Sequence, residues 1–211
     1  MAKFSEKVEN FWYYHKWKTL IALFFTIVLI LVVVQMCRNR SFDAYVMYVG
    51  EKLDGDTYEK AAAAFESVAS DSDGSGDASV SLSEILFIKD GTAVGAPTAN
   101  NEAKNAFSVQ LMGGGDYYLF ILTPEFYDLY EKTMFVPVED ILGHPTDMQN
   151  DACTVTLGKT PFYKKPGVSD LSPDLLICVK MVTYSMFDTT KRDEAQQRHF
   201  EMFRRICGEQ P

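Results

Sequence analysis

DAYVMYVG, residues 43–50, sets six apolar or aromatic side chains in unbroken succession between an aspartate and a glycine. A strand with one face in water would alternate polar and apolar residues, and six residues are too few for a buried helix. The run therefore reads as a strand buried on both faces, closed by Gly50. Downstream of it, strand-like and helix-like segments alternate. Asp56 caps an expected helix to about Ser70, in which Tyr58, Ala62, Phe65 and Ala69 recur at helical spacing. Residues 71–77, DSDGSGD, read as a turn, and residues 80–88, VSLSEILFI, as a second strand. Thr98 caps an expected helix over Ala99–Met112, stopped by Gly113-Gly114-Gly115. YYLFIL, residues 117–122, is the third strand, and Pro124 opens a short helix through Tyr130.

From residue 134 to 174 the pattern is irregular, with prolines at 137, 145, 161, 166 and 173. A helical turn near Val138–Leu142 and a short strand near Thr154–Leu157 are expected there. LLICVKMV, residues 175–182, is the last strand, and Lys191–Cys207 the last helix, with Phe200, Phe203 and Cys207 on one face. Alternating strands and helices imply parallel crossovers. The expected fold is α/β: a single three-layer domain over residues 43–211, with a mostly parallel sheet and helices on both faces.

Upstream of Asp43 the chain changes character. Leu20 to Val34 is apolar except for Thr26, and extension to Thr19 and Met36 gives 18 residues without a charge. As a helix these reach about 27 Å, close to the thickness of a bilayer core. No polar face interrupts them, unlike the helices of soluble domains. The expected division is a cytoplasmic juxtamembrane segment (1–18), a transmembrane helix (19–37), a linker (38–42) and an extracytoplasmic domain (43–211). No small-x-small cleavage site follows the apolar run, and Met36 before Cys37 does not suit lipidation, so the helix reads as an uncleaved signal-anchor. Lys3, Lys7, Lys16 and Lys18 precede it, and Arg38 and Arg40 follow, which favours a cytoplasmic N-terminus in the cell membrane. Trp12, Tyr13, Tyr14 and Trp17 crowd the N-terminal boundary, where aromatic rings favour the headgroup level. Phe4, Val8 and Phe11 share one helical face. This suits either a segment lying on the inner surface or a straight extension of the span.

Residues 41–211 hold 14 of the 20 basic and 27 of the 29 acidic residues, a net charge of −13. Such a domain repels phosphate backbones, which excludes nucleic acid as an expected partner. It also repels an anionic bilayer surface. Of the four cysteines, Cys37 sits at the membrane edge, and Cys153, Cys178 and Cys207 have no metal-type spacing. An external location permits a disulfide among these three, whereas Cys178, inside an apolar strand, reads as a small hydrophobe.

Several pieces occur in a recognisable order. FWYYHKWKT runs into the apolar span, a strand ending in YVG follows, then an Asp/Gly-rich loop, then GGDYYLFIL and a P-E-x-Y helix. Together they resemble single-pass membrane-anchored proteins of low-GC Gram-positive bacteria, whose outer domains are similar to one lobe of an extracellular solute-binding protein. The resemblance covers most of residues 10–140 and implies a fold more than an activity. A full solute-binding protein has two lobes and about twice this length.

Two sets of candidate site residues emerge. Asp71, Asp73 and Ser75 fall at positions 1, 3 and 5 of a calcium-type loop, with Gly76 at position 6 and Asp77 beside it. Position 12 should be a glutamate and is Leu82, and a strand follows rather than a helix, so calcium is at most weakly bound and no other cofactor is expected. The second set is placed by architecture alone. In an open parallel sheet, ligands sit beyond the carboxyl ends of the strands, here Gly50–Glu51, Lys89–Asp90, Thr123–Glu125 and Thr183–Tyr184. Gly50, Glu51, Asp90, Thr123 and Tyr184 are the candidates drawn from those ends.

No catalytic residues are expected. The histidines, His15, His144 and His199, are scattered, no serine sits in a nucleophile elbow, and no H-E-x-x-H occurs. The expectation is a membrane-tethered, non-enzymatic binding or interaction module for a small molecule or peptide. The alternatives are an assembly partner of another membrane or envelope protein and, last, an envelope hydrolase. A concave pocket at the strand ends favours the first, a flat apolar patch the second, and carboxylates or histidines converging in a cleft the third.

Overall fold

The computed structural model describes residues 13, 16–32, 42–72, 74–112, 116–182 and 189–209. The chain divides into two compact units, Met1–Ser41 and Phe42–Pro211. In the first unit, residues 16–32 form one helix (α1). Its lone polar residue beyond Thr19, Thr26, turns its hydroxyl onto the Ala22 carbonyl at 2.9 Å. Among the described residues no helix is long and apolar enough to cross a membrane. Residues 33–37 of the expected span lie outside the described residues, as does the segment before residue 13.

The second unit is α/β. Six strands, β1 (Ala44–Gly50), β2 (Val80–Leu86), β3 (Leu119–Leu122), β4 (Gln149–Asp151), β5 (Thr154–Thr156) and β6 (Leu176–Val179), lie in the order β2-β1-β3-β6-β5-β4. β1 pairs in parallel with both β2 and β3, whereas β3–β6, β6–β5 and β5–β4 are antiparallel. The expectation of a mostly parallel sheet is therefore corrected to a mixed one. The physical reason lies in the irregular segment. Residues 134–174 supply only short helices, α5 (Val138–Leu142) and turns of 3-10 helix, and no long crossover helix that would return the chain to the same end of the sheet.

Period-two alternation along each central strand builds two cores. Val46 and Tyr48 face one, with Ala61 and Phe65 of α2 (Gly55–Glu66) and Met202 and Phe203 of α6 (Thr189–Ile206). Met47 and Val49 face the other, with Ala103 and Phe107 of α3 (Ala96–Met112) and Phe126 of α4 (Pro124–Tyr127). This gives the three layers, and it explains why residues 44–49 show no polar alternation.

Local chemistry shifts several boundaries. The cap of α2 is Asp54, not Asp56: its carboxylate accepts from the Thr57 amide at 3.0 Å and the Thr57 hydroxyl at 2.8 Å. Asp56 lies within the first turn and pairs with Lys60. α3 starts at Ala96 rather than Ala99, after Gly95 at φ +84°. Its expected stop, Gly113–Gly115, lies outside the described residues. No basic residue occupies its last turn, but buried Lys180 reaches across from the end of β6 to the Gln110 carbonyl at 2.9 Å, a cation at the helix C-terminus. Cys153, Cys178 and Cys207 are buried free thiols.

The sheet edge at β2 is closed by side chains. The Tyr58 hydroxyl donates to the Leu82 carbonyl, and Glu84 accepts from the Leu53 amide at 2.6 Å. Opposite α2, Gly167 at φ +80° lets the loop before β6 lie directly on the helix, where any Cβ would overlap Lys60 and the Ala61 amide. Gly167→Ala is expected to destabilise the domain by about 2 kcal/mol, combining left-handed strain with steric overlap. A urea midpoint equal to that of wild type would show that the loop lifts off α2 without cost.

Candidate functional site

The carboxyl ends of β1, β2 and β3 share one end of the sheet, because these strands are parallel. The chain runs from β1 to β2 on one side and returns past β1 to β3 on the other. This makes the β1/β3 ends a topological switch point, where the crossover helices diverge and leave a crevice. A cleft of about 900 Å³ opens there. Tyr48, Glu51, Phe87, Lys89 and Thr123 line it from the strand ends, Asp54 and Thr57 from the start of α2, and Asp170 and Asp174 from the loop held by Gly167.

Gly50 has a steric role in this arrangement. Tyr48 lies two residues back on the same face, and its ring crosses the Gly50 Cα, where a Cβ would come within 2.5 Å of the hydroxyl. Tyr48 is 5% exposed, yet its hydroxyl reaches the strand end. Burial, with the charges of Glu84 and Glu51, pushes its pKa up to about 12, so the phenol stays protonated. Lys89 and Glu125 form an ion pair of 2.6 Å at the cleft wall. The Lys89 ammonium is raised by its hydrogen bond and charge contact with Glu125, and also by Asp174 and Glu51. Thr123 stands at the N-cap of α4 without making a cap bond, and its Oγ1 is buried with no hydrogen-bond partner.

The residues expected from sequence divide clearly. Glu51 and Thr123 line the cleft, and Gly50 lies beneath the Tyr48 ring beside it without being a lining residue. Asp90 is not among the lining residues: its carboxylate accepts from the Thr92 amide at 3.0 Å and hydroxyl at 2.6 Å, closing a turn. Tyr184 lies outside the described residues. The strand before it, β6, is antiparallel, so its carboxyl end, Val179, pairs with Leu119 at the start of β3, away from the cleft. It is the amino end of β6, at Leu175 and Leu176, that reaches the cleft.

Sequence reasoning missed Tyr48, Asp170 and Asp174. Tyr48 reads as core, and only the glycine two residues on hints that its ring needs room. The two aspartates sit in the proline-rich stretch, which carries no periodic signal.

In the calcium-type loop the Asp71 carboxylate gathers the backbone that follows it. Asp71 Oδ1 accepts from the Gly74 and Ser75 amides at 2.8 and 3.2 Å, and Oδ2 from the Gly76 amide at 2.8 Å. Gly74 and Gly76, both at positive φ, turn the loop onto that carboxylate. Ser75 donates to the Asp77 carbonyl at 3.1 Å, and Asp73 lies outside the described residues. Among the described residues, no three His, Cys, Asp or Glu side chains are grouped as a metal ion requires.

The described histidines lie away from the cleft. His144 is exposed and pairs with Glu209 at 2.7 Å, and His199 is buried between α6 and β1. His15 lies outside the described residues. Comparison of the chain with protein-family models, curated proteins and solved structures gives no match.

Proposed function

We propose that this protein is a membrane-tethered, extracytoplasmic binding module whose ligand, a small polar molecule, occupies the cleft at the carboxyl ends of β1, β2 and β3. The observation that carries the reading is the cleft itself: about 900 Å³, at the switch point of the sheet, with a mixed polar and apolar lining. Its volume suits a small solute or the end of a peptide.

The tether rests on the uncharged apolar run from Thr19 to Met36 and on α1, whose Thr26 hydroxyl finds its partner within the helix. The bias of lysines before the run supports a cytoplasmic N-terminus. The resemblance to membrane-anchored proteins with a one-lobe binding fold points the same way.

The test uses the full chain in lipid nanodiscs, screened against small polar solutes by thermal shift. A solute that raises the melting temperature of wild type is expected to lose at least about tenfold in affinity for Ser172→Trp, an exposed lining position where indole fills the cleft. Undiminished binding by a folded Ser172→Trp protein would place the ligand elsewhere. A reporter fused after Gly208 and active only in the cytoplasm would remove the proposed topology.

A further inference from the structure

Five carboxylates and three lysines line the cleft: Glu51, Asp54, Glu125, Asp170 and Asp174 against Lys52, Lys89 and Lys159. Their existing engagements differ. Asp54 is bonded to Thr57 as the α2 cap, and Glu125 to Lys89. Lys159 donates to the Asp147 carbonyl at 3.4 Å. Among the described lining residues, Glu51, Asp170 and Asp174 make no hydrogen bond or ion pair, and Lys52 makes none either, while the charges of Lys89 and Lys60 reach the three carboxylates only at longer range. The cleft is anionic inside a domain that is itself strongly anionic, and both fields draw in a cation.

Tyr48 supplies an independent sign. Its side chain is more than nine-tenths buried and ends in the cleft, and its hydroxyl has no hydrogen-bond partner among the described residues. The hydroxyl is the accessible tip of an otherwise buried side chain, so it is placed to bond whatever fills the space above Gly50.

We propose, building on the binding-module reading, that the cleft takes a small organic cation with a protonated amine, held by Glu51, Asp170 and Asp174 with the Tyr48 hydroxyl as a further acceptor. An ammonium carries three N–H donors and no acceptor, which matches a wall of carboxylates and a phenol oxygen. Among the described residues no three acidic side chains are grouped as a metal ion requires, and an extended organic cation reaches separate carboxylates where a bare metal does not. Lys52 stands ready for a carboxylate on the same ligand, so a basic amino acid or a diamine both fit.

The test is hydrogen exchange of the full chain in phosphatidylcholine nanodiscs with putrescine, arginine, glutamate and glucose as probes, read at residues 48–54, 87–89, 123–125 and 170–176. Putrescine and arginine are expected to slow exchange in these segments. Their half-saturating concentration should rise about tenfold in the double variant Glu51→Gln/Asp174→Asn, and about fivefold in Tyr48→Phe, which removes one hydrogen bond. Both acidic positions are exposed, so the double variant carries the test if Tyr48→Phe fails to fold. Amine protection that persists unchanged in the double variant overturns the inference. Protection of these segments by glutamate or glucose but not by amines also overturns it, while leaving the binding-module reading in place. Silence from all four probes overturns it and removes support from that reading as well.

Discussion

Asp43→Ala is expected to lower the stability of the α/β domain by about 4 kcal/mol. Asp43 is buried at the entry to β1. Its Oδ1 accepts from the amide and hydroxyl of Ser72 at 2.8 and 2.5 Å, and its Oδ2 from the amide and hydroxyl of Ser79 at 2.8 and 2.9 Å. One side chain thus ties both ends of the loop between α2 and β2 to the central strand. Alanine would leave four donors without that acceptor. Asp43→Asn keeps one oxygen and replaces the other with an amide that cannot accept, so a loss of about 2 kcal/mol is expected. Burial alone would raise this carboxyl, but the hydrogen bonds from Ser72 and Ser79 outweigh it and hold the pKa at about 2. Its contribution is therefore complete above the ordinary value of 3.8 and is lost as pH falls toward 2. Urea denaturation of the full chain in mild detergent measures all three quantities. A midpoint shift under about 1 kcal/mol for Asp43→Ala would show that water replaces the carboxylate without loss.

The second expected result is acid softening in a different pH window. His199 is 1% exposed, on α6. Its Nδ1–H donates to the Ala195 carbonyl at 2.7 Å, which leaves Nε2 to accept from the Tyr45 amide at 3.1 Å. The Tyr118 ring lies against it at 5.1 Å, with the Lys180 ammonium 4.8 Å from that same ring. Protonation would remove the acceptor for Tyr45 and place a cation among Arg198 and Lys180. Burial above all, with those two charges, lowers the pKa from 6.5 to about 4. The unfolded chain binds the proton first, so stability is full above pH 6.5 and falls as pH drops toward 4. The loss is about 3 kcal/mol across that interval. Below pH 4 this residue adds no further slope. His199→Gln keeps a side-chain oxygen for Tyr45 and has no titration, so the slope that His199 supplies between pH 6.5 and 4 should be missing from its stability profile. A wild-type midpoint that does not move between pH 7 and 4.5 would refute this account of His199.

These two residues show where the sequence is legible and where it is not. The burial of residues 44–49 on both faces follows from composition alone, and so do the helices that flank β1 and β2. Asp43 reads only as the polar start of a strand, because its partners lie 29 and 36 residues away. His199 reads as one more residue of a charged helix, because the group it serves is 154 positions upstream. β4 is invisible for a related reason: Gln149–Asp151 has no apolar face. It is held by Asp151, whose carboxylate accepts from the Cys153 amide, the Thr154 hydroxyl, Tyr127 and Lys132. The position of the cleft was legible through the rule for parallel strand ends, two of whose five candidates, Glu51 and Thr123, line it. The same rule takes the carboxyl end of β6 for a cleft end, whereas β6 is antiparallel and brings its amino end there, since strand direction is not encoded in local pattern. Asp170 and Asp174 reach the cleft through Gly167, a long-range packing contact with no periodic trace.

The sheet order carries a consequence for how the chain is made. β1, β2 and β3 complete a parallel unit by residue 122, but the free edge of β3 is Leu119–Leu122, four fully buried apolar residues. β6 covers that edge only after residue 176 has emerged, and the bond from Tyr45 to His199 closes later still. During synthesis the half-made sheet therefore presents an unpaired hydrophobic strand for more than fifty residues of elongation. That window, which closes only when the last strand arrives, is where aggregation competes with folding.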